Sequence, residues 1–280
     1  MDKHAGPTSH DIVRDVRRRM PRGTKVGHAG TLDPFATGLL VILSGRATRL
    51  ADRISSRQKS YRAVIQLGQR SETGDPEGPI TAGGPLPSAQ DLDNAIAHIG
   101  QRTRQQVPAY SAVRVDGERL YQRVRRGETV ALPERDMEIS HCELVAASLD
   151  AGLVTLDITV SKGTYIRQIA VDLGEILGCG AYCAQLRRTA VGPLLVDNAI
   201  PVARVPYDEP IALTSLITDI PHYLIGDASA DGIVHGRAIA LDGPNGEGAL
   251  ISDHGQLIAI ARIQDEMAFP TTVLFGPDDL

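Results

Sequence analysis

One segment constrains this chain more than any other: Gly27-His28-Ala29-Gly30-Thr31-Leu32-Asp33-Pro34-Phe35-Ala36-Thr37-Gly38-Leu39. It sets a single carboxylate, Asp33, in a loop whose backbone is tightly specified. Pro34 drives Asp33 toward extended geometry, and Gly27, Gly30 and Gly38 permit turns or close backbone approach. The run Leu39-Leu40-Val41-Ile42-Leu43 then predicts one buried strand that anchors the loop. A carboxylate held this way can act as nucleophile, general base or metal ligand. It can equally cap nearby amides, a common task for Asp before Pro.

At 280 residues, with 42% apolar and 22% charged side chains, the chain can bury a large core in one domain or two. No apolar run approaches the ~20 residues of a membrane span, and the polar, basic start lacks a secretory apolar stretch. The expectation is a cytoplasmic protein with no membrane partner. Cys142, Cys179 and Cys183 are an odd number of thiols, suited to a reducing compartment. Cys179 and Cys183 alone cannot fill a tetrahedral site, so no metal is expected.

Net charge is −5, which at first argues against a nucleic-acid partner. Its distribution reverses that impression. Residues 1–70 carry a balance of +9, residues 71–190 of −4 and residues 191–280 of −10. Arg14, Arg17, Arg18, Arg19, Arg22 and Lys25 fall within twelve residues, a pattern that fits phosphate tracking. Arginine supplies 25 of the 29 positive charges, and its planar fork pairs phosphate oxygens bidentately. Such contacts give affinity and register without reading sequence.

Thr8 or Ser9 is positioned to cap a helix with Ile12, Val13, Val16 and Met20 on one face. Tyr61 to Leu67 reads as a strand, and Glu72 to Ser88 as a Gly/Pro-rich loop. Ser88 with Asp91 opens a helix striped by Leu92, Ala95, Ile96 and Ile99. A short basic helix is expected around Glu118 to Arg126. Val154, Leu156, Ile158 and Val160 alternate as a half-buried strand. Ile166, Ile169, Ala170, Leu173, Ile176 and Leu177 give the strongest helical signal, ended by Gly178 and Gly180. Strands and helices without regular alternation predict an α+β fold with a mixed, mostly antiparallel sheet. Near the C-terminus, Ile233–Ala240, Gly248–Ile251, Gln256–Ile263 and Thr271–Leu274 read as short strands of a small β-barrel.

The Asp33 block resembles, nearly residue for residue, the catalytic-aspartate motif of the TruB family of bacterial tRNA pseudouridine synthases. Lys3, Gly6, Thr8 and Ser9 match that family's opening motif. Lys59-Ser60-Tyr61-Arg62-Ala63, the turn from Gly68 to Gly78 with Thr73 and Asp75, and the stretch from Gln106 to Val115 match further blocks in order. Ser161-Lys162-Gly163-Thr164-Tyr165-Ile166-Arg167 and Leu186-Arg187-Arg188-Thr189 complete the set. The match spans residues 3 to 189. Two departures stand out: only Met1 and Asp2 precede Lys3, and His4 replaces the family's proline. A shortened start or a frayed first strand is the expectation there.

The resemblance implies a catalytic domain over residues 1–226 and a C-terminal β-barrel domain of the PUA type over 227–280. It implies isomerisation of a uridine (U55) in the TΨC loop of tRNA: N1–C1′ cleaves, the base turns, and C5 joins C1′. That reaction needs no redox change, phosphoryl transfer or electron sink, so no cofactor is expected, and the chain has neither a dinucleotide fingerprint nor a P-loop. The base must leave its stack before its atoms can be reached. The resemblance makes Asp33 the catalytic carboxylate, attacking sugar or base or abstracting a ribose proton. It makes Arg167 the partner that keeps Asp33 charged and oriented. Tyr61 would stack on the extruded uracil, Tyr165 would form a second wall, Leu186 an apolar lid, and His28 a wedge in the vacated stack.

Three other readings compete. An RNA-binding module with an idle centre is opposed by the intact Asp33, Tyr61, Tyr165 and Arg167. A guide-RNA-directed enzyme in a multiprotein complex fits less well than a monomer without an obligatory partner, given the length and the segment from Pro108 to Arg126. A serine hydrolase lacks its nucleophile elbow, since Ser44 lies in Ile-Leu-Ser-Gly.

Overall fold

The computed structural model describes residues 1–205 and 210–276. The chain forms two compact units. The first comprises Met1–Ser9, Thr31–Leu40 and Ser56–Ile200; the second comprises His10–Gly30, Val41–Ser55 and the described residues from Pro201 on.

A seven-stranded mixed sheet organises the first unit. Its strands run in the order Asp2–Lys3, Thr37–Leu39, Ala181–Val191, Lys59–Leu67, Leu153–Val160, Ile139–Ser148, with Leu194–Leu195 paired onto Ala181–Val191. Only the junction between Thr37–Leu39 and Ala181–Val191 is parallel; the other pairings are antiparallel. Period-two patterning explains the central strands. Tyr61, Ala63, Ile65 and Leu67 are buried along one, and Val154, Leu156, Ile158 and Val160 along its neighbour. Tyr61 lies in register with Ile158 on one side and Arg188 on the other.

The helix Ile166–Ile176 buries Ile166, Ile169, Ala170 and Leu173. It stops where Gly178 takes φ +69°, a conformation suited to glycine. The helix Ala89–Gly100 is capped by Ser88, whose Oγ accepts the Asp91 N–H at 3.2 Å. Such a cap contributes about 1 kcal/mol. Each buried leucine or isoleucine contributes roughly 1.5–3 kcal/mol. Burial of Leu92, Ile96 and Ile99 therefore outweighs the cap in stabilising this helix.

Several expectations need correction. The run Leu39–Leu43 is not one strand. Thr37–Leu39 joins the large sheet, whereas Ile42–Ser44 pairs with Val26–His28 in the second unit. Leu40 and Val41 are buried where the chain passes from one unit to the other, so a continuous apolar run serves two sheets. The first strand is not frayed: Asp2 and Lys3 pair with Leu39 and Gly38. The Glu72–Ser88 loop contains a strand, Ile80–Ala82, hairpinned onto Gln69–Ser71. Ser9 opens the helix Ser9–Arg19, but its hydroxyl exchanges hydrogen bonds with the Leu32 backbone, at 3.0 Å as donor and 2.8 Å as acceptor.

In the second unit, the helix Ser9–Arg19 buries Ile12, Val13 and Val16 from its His10 end onward. Arg14, Arg17, Arg18, Arg19, Arg22 and Lys25 are all exposed. A five-stranded sheet runs His222–Ile225, Gly246–Ser252, Leu257–Gln264, Met267–Val273, Ile239–Ala240. Its core gathers Ile225, Ala230, Ile233, Leu250, Ile258 and Ile263. Of the expected strand Ile233–Ala240 only Ile239–Ala240 is a strand; Ile233 and Val234 end the helix Asp227–Val234, and a turn separates the two. Ala228 and Ala230 favour helix, and Gly236 at φ +79° ends the turn beyond it. His222–Ile225 is a strand that periodicity did not reveal. Among the described residues no helix is long and apolar enough to cross a membrane.

Candidate active site

Asp33 is held by a loop whose carbonyls are nearly all taken. Lys3, only 1% exposed, donates from Nζ to His4 O at 3.0 Å, Pro34 O at 3.0 Å and Ala36 O at 2.6 Å. Arg188, also buried, donates from Nε to Leu39 O at 2.7 Å and from Nη1 to Thr31 O at 3.2 Å. The Gly6 amide reaches Pro34 O at 2.9 Å, and Ala36 N–H closes onto Asp33 O at 3.1 Å. Gly38 is the point of closest approach. At φ +98° a Cβ there would lie 2.3 Å from Arg188 O, so only glycine fits.

Arg167 comes from the first turn of the helix Ile166–Ile176 and is 5% exposed. Its Nε donates to Asp33 Oδ2 at 2.9 Å. Nη1 donates to Thr73 O at 2.7 Å and pairs with Asp75 Oδ2 at 3.1 Å, while Nη2 donates to Tyr110 O at 3.2 Å. One buried cation thus lies between two carboxylates, and their surroundings differ. The Asp75 side chain is 6% exposed and also accepts from Thr73 Oγ1 and the Glu77 N–H. The Asp33 side chain is 35% exposed. Of the pair, Asp33 is the one a substrate can reach.

Tyr165 sits at the N-cap of the same helix. The buried Gln105 side chain clamps its backbone, donating to Tyr165 O at 3.0 Å and accepting from Tyr165 N–H at 2.8 Å. The Arg135 guanidinium lies over the Tyr165 ring, 5.5 Å from its centroid, and donates to Gly163 O at 3.0 Å. Tyr61 is buried in the centre of the sheet at 8% exposure. Leu186, on the strand beside it and in register with Ala63, lines a groove of about 520 Å³ with Phe35, Thr37, Val64 and Pro76. His28 lies in the second unit, at the end of the strand Val26–His28 opposite Ile42.

Charge around the cluster is balanced at short range. Burial lowers the Lys3 ammonium below its ordinary range, opposed by the negative charges of Asp33 and Glu77. Partial desolvation, reinforced by Asp75 and Asp33, raises the Glu77 carboxyl. Burial pushes the Cys183 thiol up and keeps it neutral. All three cysteines are free, and no group of metal-ligating side chains occurs among the described residues.

The Asp33–Arg167 pair that the resemblance implies is present in the structure at 2.9 Å. Asp75, the second carboxylate on that arginine, carries no such signal, because a lone aspartate in a Gly-rich turn reads as a turn former. Gln105 left no local signal, because its partner is sixty residues away.

Residues 18–166 match the family described as TruB family pseudouridylate synthase (N terminal domain), and residues 167–205 match the tRNA pseudouridylate synthase B C-terminal domain. Proteins named tRNA pseudouridine synthase B are similar over nearly the whole chain. The one from Corynebacterium diphtheriae is 38% identical over 94% of this chain and 91% of its own. That from Thermobifida fusca is 38% identical over 99% and 97%. Among solved structures, a chain of a Cbf5–Nop10–Gar1 complex superimposes with TM-score 0.71 at 21% identity, covering 99% of this chain and 84% of that one. A chain of an H/ACA RNP bound to a substrate RNA containing 2′-deoxyuridine gives 0.69 at 20%, over 99% and 84%. These two likenesses concern the fold.

Proposed function

The chain belongs to the TruB family of pseudouridylate synthases, and from that premise we propose that it isomerises U55 in the TΨC loop of tRNA to pseudouridine. The observation that carries the site assignment is the 2.9 Å pair between Arg167 and Asp33, with Asp33 the more accessible of the two carboxylates on that arginine.

The residues divide the work by what each can touch. Asp33 supplies the catalytic carboxylate as the N1–C1′ bond breaks. After the base turns, C5 bonds to C1′, the C5 proton departs, and N1 ends protonated. Arg167 holds Asp33 aimed through a charge-assisted hydrogen bond at 2.9 Å. Tyr61 offers a face for the extruded uracil, Tyr165 a second wall, and Leu186 apolar closure. His28 is the candidate wedge for the vacated stack.

The exposed basic run from Arg14 to Lys25 suits the tRNA backbone. The C-terminal five-stranded sheet, whose first strand His222–Ile225 begins just before residue 227, and the helix Asp227–Val234 support a PUA-like reading of this region. Asp33, Arg167 and Asp75 all come from one chain, which favours a monomer that needs no obligatory protein partner; a cytoplasmic location belongs to the same proposal. The test is release of the C5 hydrogen from a transcript tritiated at uridine C5. Release that disappears when U55 is replaced by cytidine supports the reading; release that persists opposes the assigned position.

A further inference from the structure

The stretch from Gln106 to Val115 holds a motif that the isomerisation chemistry leaves without a role. Its tyrosine, Tyr110, meets the active-site cluster twice. The Tyr110 carbonyl accepts from Arg167 Nη2 at 3.2 Å. The Tyr110 phenol donates to Glu72 Oε1. Glu72 directly precedes Thr73, whose carbonyl accepts from Nη1 of the same arginine at 2.7 Å. It also lies in the turn that carries Asp75, paired with that Nη1 at 3.1 Å. Two segments therefore grip one guanidinium, and the phenol–carboxylate bond fastens them to each other.

We infer that Tyr110 is a positioning residue for the Asp33–Arg167 pair, its phenol latching the 72–75 turn to the 108–111 segment so that both keep the guanidinium aimed at Asp33. The inference rests on the isomerase reading of that site. Three observations support it. Arg167 is buried, so little water is at hand to replace a carbonyl that drifts away. The Tyr110 hydroxyl has its pKa raised, first by its bond to Glu72, so the phenol stays protonated and remains the donor. Ser111 is buried beside it and accepts the Tyr121 N–H at 3.1 Å, which places Tyr110 at the root of the excursion bearing the helix Leu120–Arg125. A phenylalanine would fill the same space without the latch.

The experiment compares wild type, Tyr110→Phe, Glu72→Ala, Glu72→Gln and the Tyr110→Phe/Glu72→Ala double variant. Single-turnover pseudouridine formation on an unmodified tRNA transcript is read beside transcript affinity at fixed salt. Losing one charge-assisted bond that aligns a catalytic pair should slow the chemical step about fivefold to tenfold in each of Tyr110→Phe and Glu72→Ala. Affinity should stay within about twofold. The double variant should be no slower than either single one, and Glu72→Gln should recover most of the rate, because its amide oxygen still accepts. A Tyr110→Phe rate equal to wild type, multiplying losses in the double variant, or a loss confined to affinity would overturn the latch. Wild type that makes no pseudouridine would overturn the isomerase reading and the latch with it.

Discussion

Asp33 gives one carboxylate oxygen, Oδ2, to Arg167 Nε at 2.9 Å, and its other oxygen has no protein partner among the described residues. The arginine fixes the carboxylate's orientation while one oxygen stays available to the substrate. The same arginine is anchored from behind by Asp75 and the carbonyls of Thr73 and Tyr110.

Arg167→Lys keeps the charge but loses the fork that reaches Asp33, Asp75, Thr73 and Tyr110 together. Lysine would satisfy part of that set and leave a buried carboxylate or carbonyl without a donor. Disturbing a buried pair in this way costs about 3–5 kcal/mol. Single-turnover rates should fall about 100-fold or more with transcript affinity little changed. A rate within about threefold of wild type would contradict the role given to the guanidinium.

Gly38→Ala should unfold or distort the Asp33 loop, because its Cβ would sit 2.3 Å from Arg188 O at a positive φ. Both the clash and the backbone conformation count against alanine, and a loss of roughly 2–4 kcal/mol is expected. Urea unfolding measures it. Stability equal to wild type would show that this loop relaxes more freely than its contacts imply.

Lys59 predicts a pH effect. Burial first, then the positive charges of Arg188 and Lys162, lower its ammonium to about 8 from an ordinary 10.5. Between those values the unfolded chain binds the proton that the folded chain has released, so stability rises with pH across that window. The contribution is on the order of 3 kcal/mol. The stability of wild type relative to Lys59→Met should therefore improve from about pH 8 toward pH 10. A flat difference would mean Lys59 titrates normally.

Binding of tRNA should weaken steeply with salt. If about three of the exposed cations between Arg14 and Lys25 meet phosphates, affinity should drop roughly 40-fold between ~50 and ~200 mM monovalent salt. Neutralising two of the arginines should flatten the slope. Salt-independent binding would remove this surface from the tRNA footprint.

Much of the central sheet was legible because its code is local. Tyr61 to Leu67 and Val154 to Val160 alternate cleanly, and the Ile166–Leu177 stripe has a single helical reading. Sequence failed where one signal served two partners. Leu39–Leu43 is apolar throughout because both halves are buried, yet the halves join different sheets. Ile233–Ala240 reads as one strand because Ile233, Val234 and Ile239 are β-branched, yet Ile233 and Val234 close a helix that buries Ile233 with Ala230, and only Ile239–Ala240 joins the sheet. At the site, Asp33 and Arg167 were found through their motifs. Lys3 and Arg188 also lie in matched motifs, but their work on the backbone of the Asp33 loop is not legible there, and Gln105, which clamps Tyr165, leaves no pattern at all because its partner is far along the chain.

The most direct measurement is site-resolved product analysis of an unmodified tRNA transcript incubated, without cofactor, with wild type or Asp33→Asn. Pseudouridine at U55 with wild type and none with Asp33→Asn, at equal transcript binding, is the predicted result. Pseudouridine formed equally by both proteins, or by neither on a transcript shown to bind, would contradict the central claim that Asp33 performs the isomerisation.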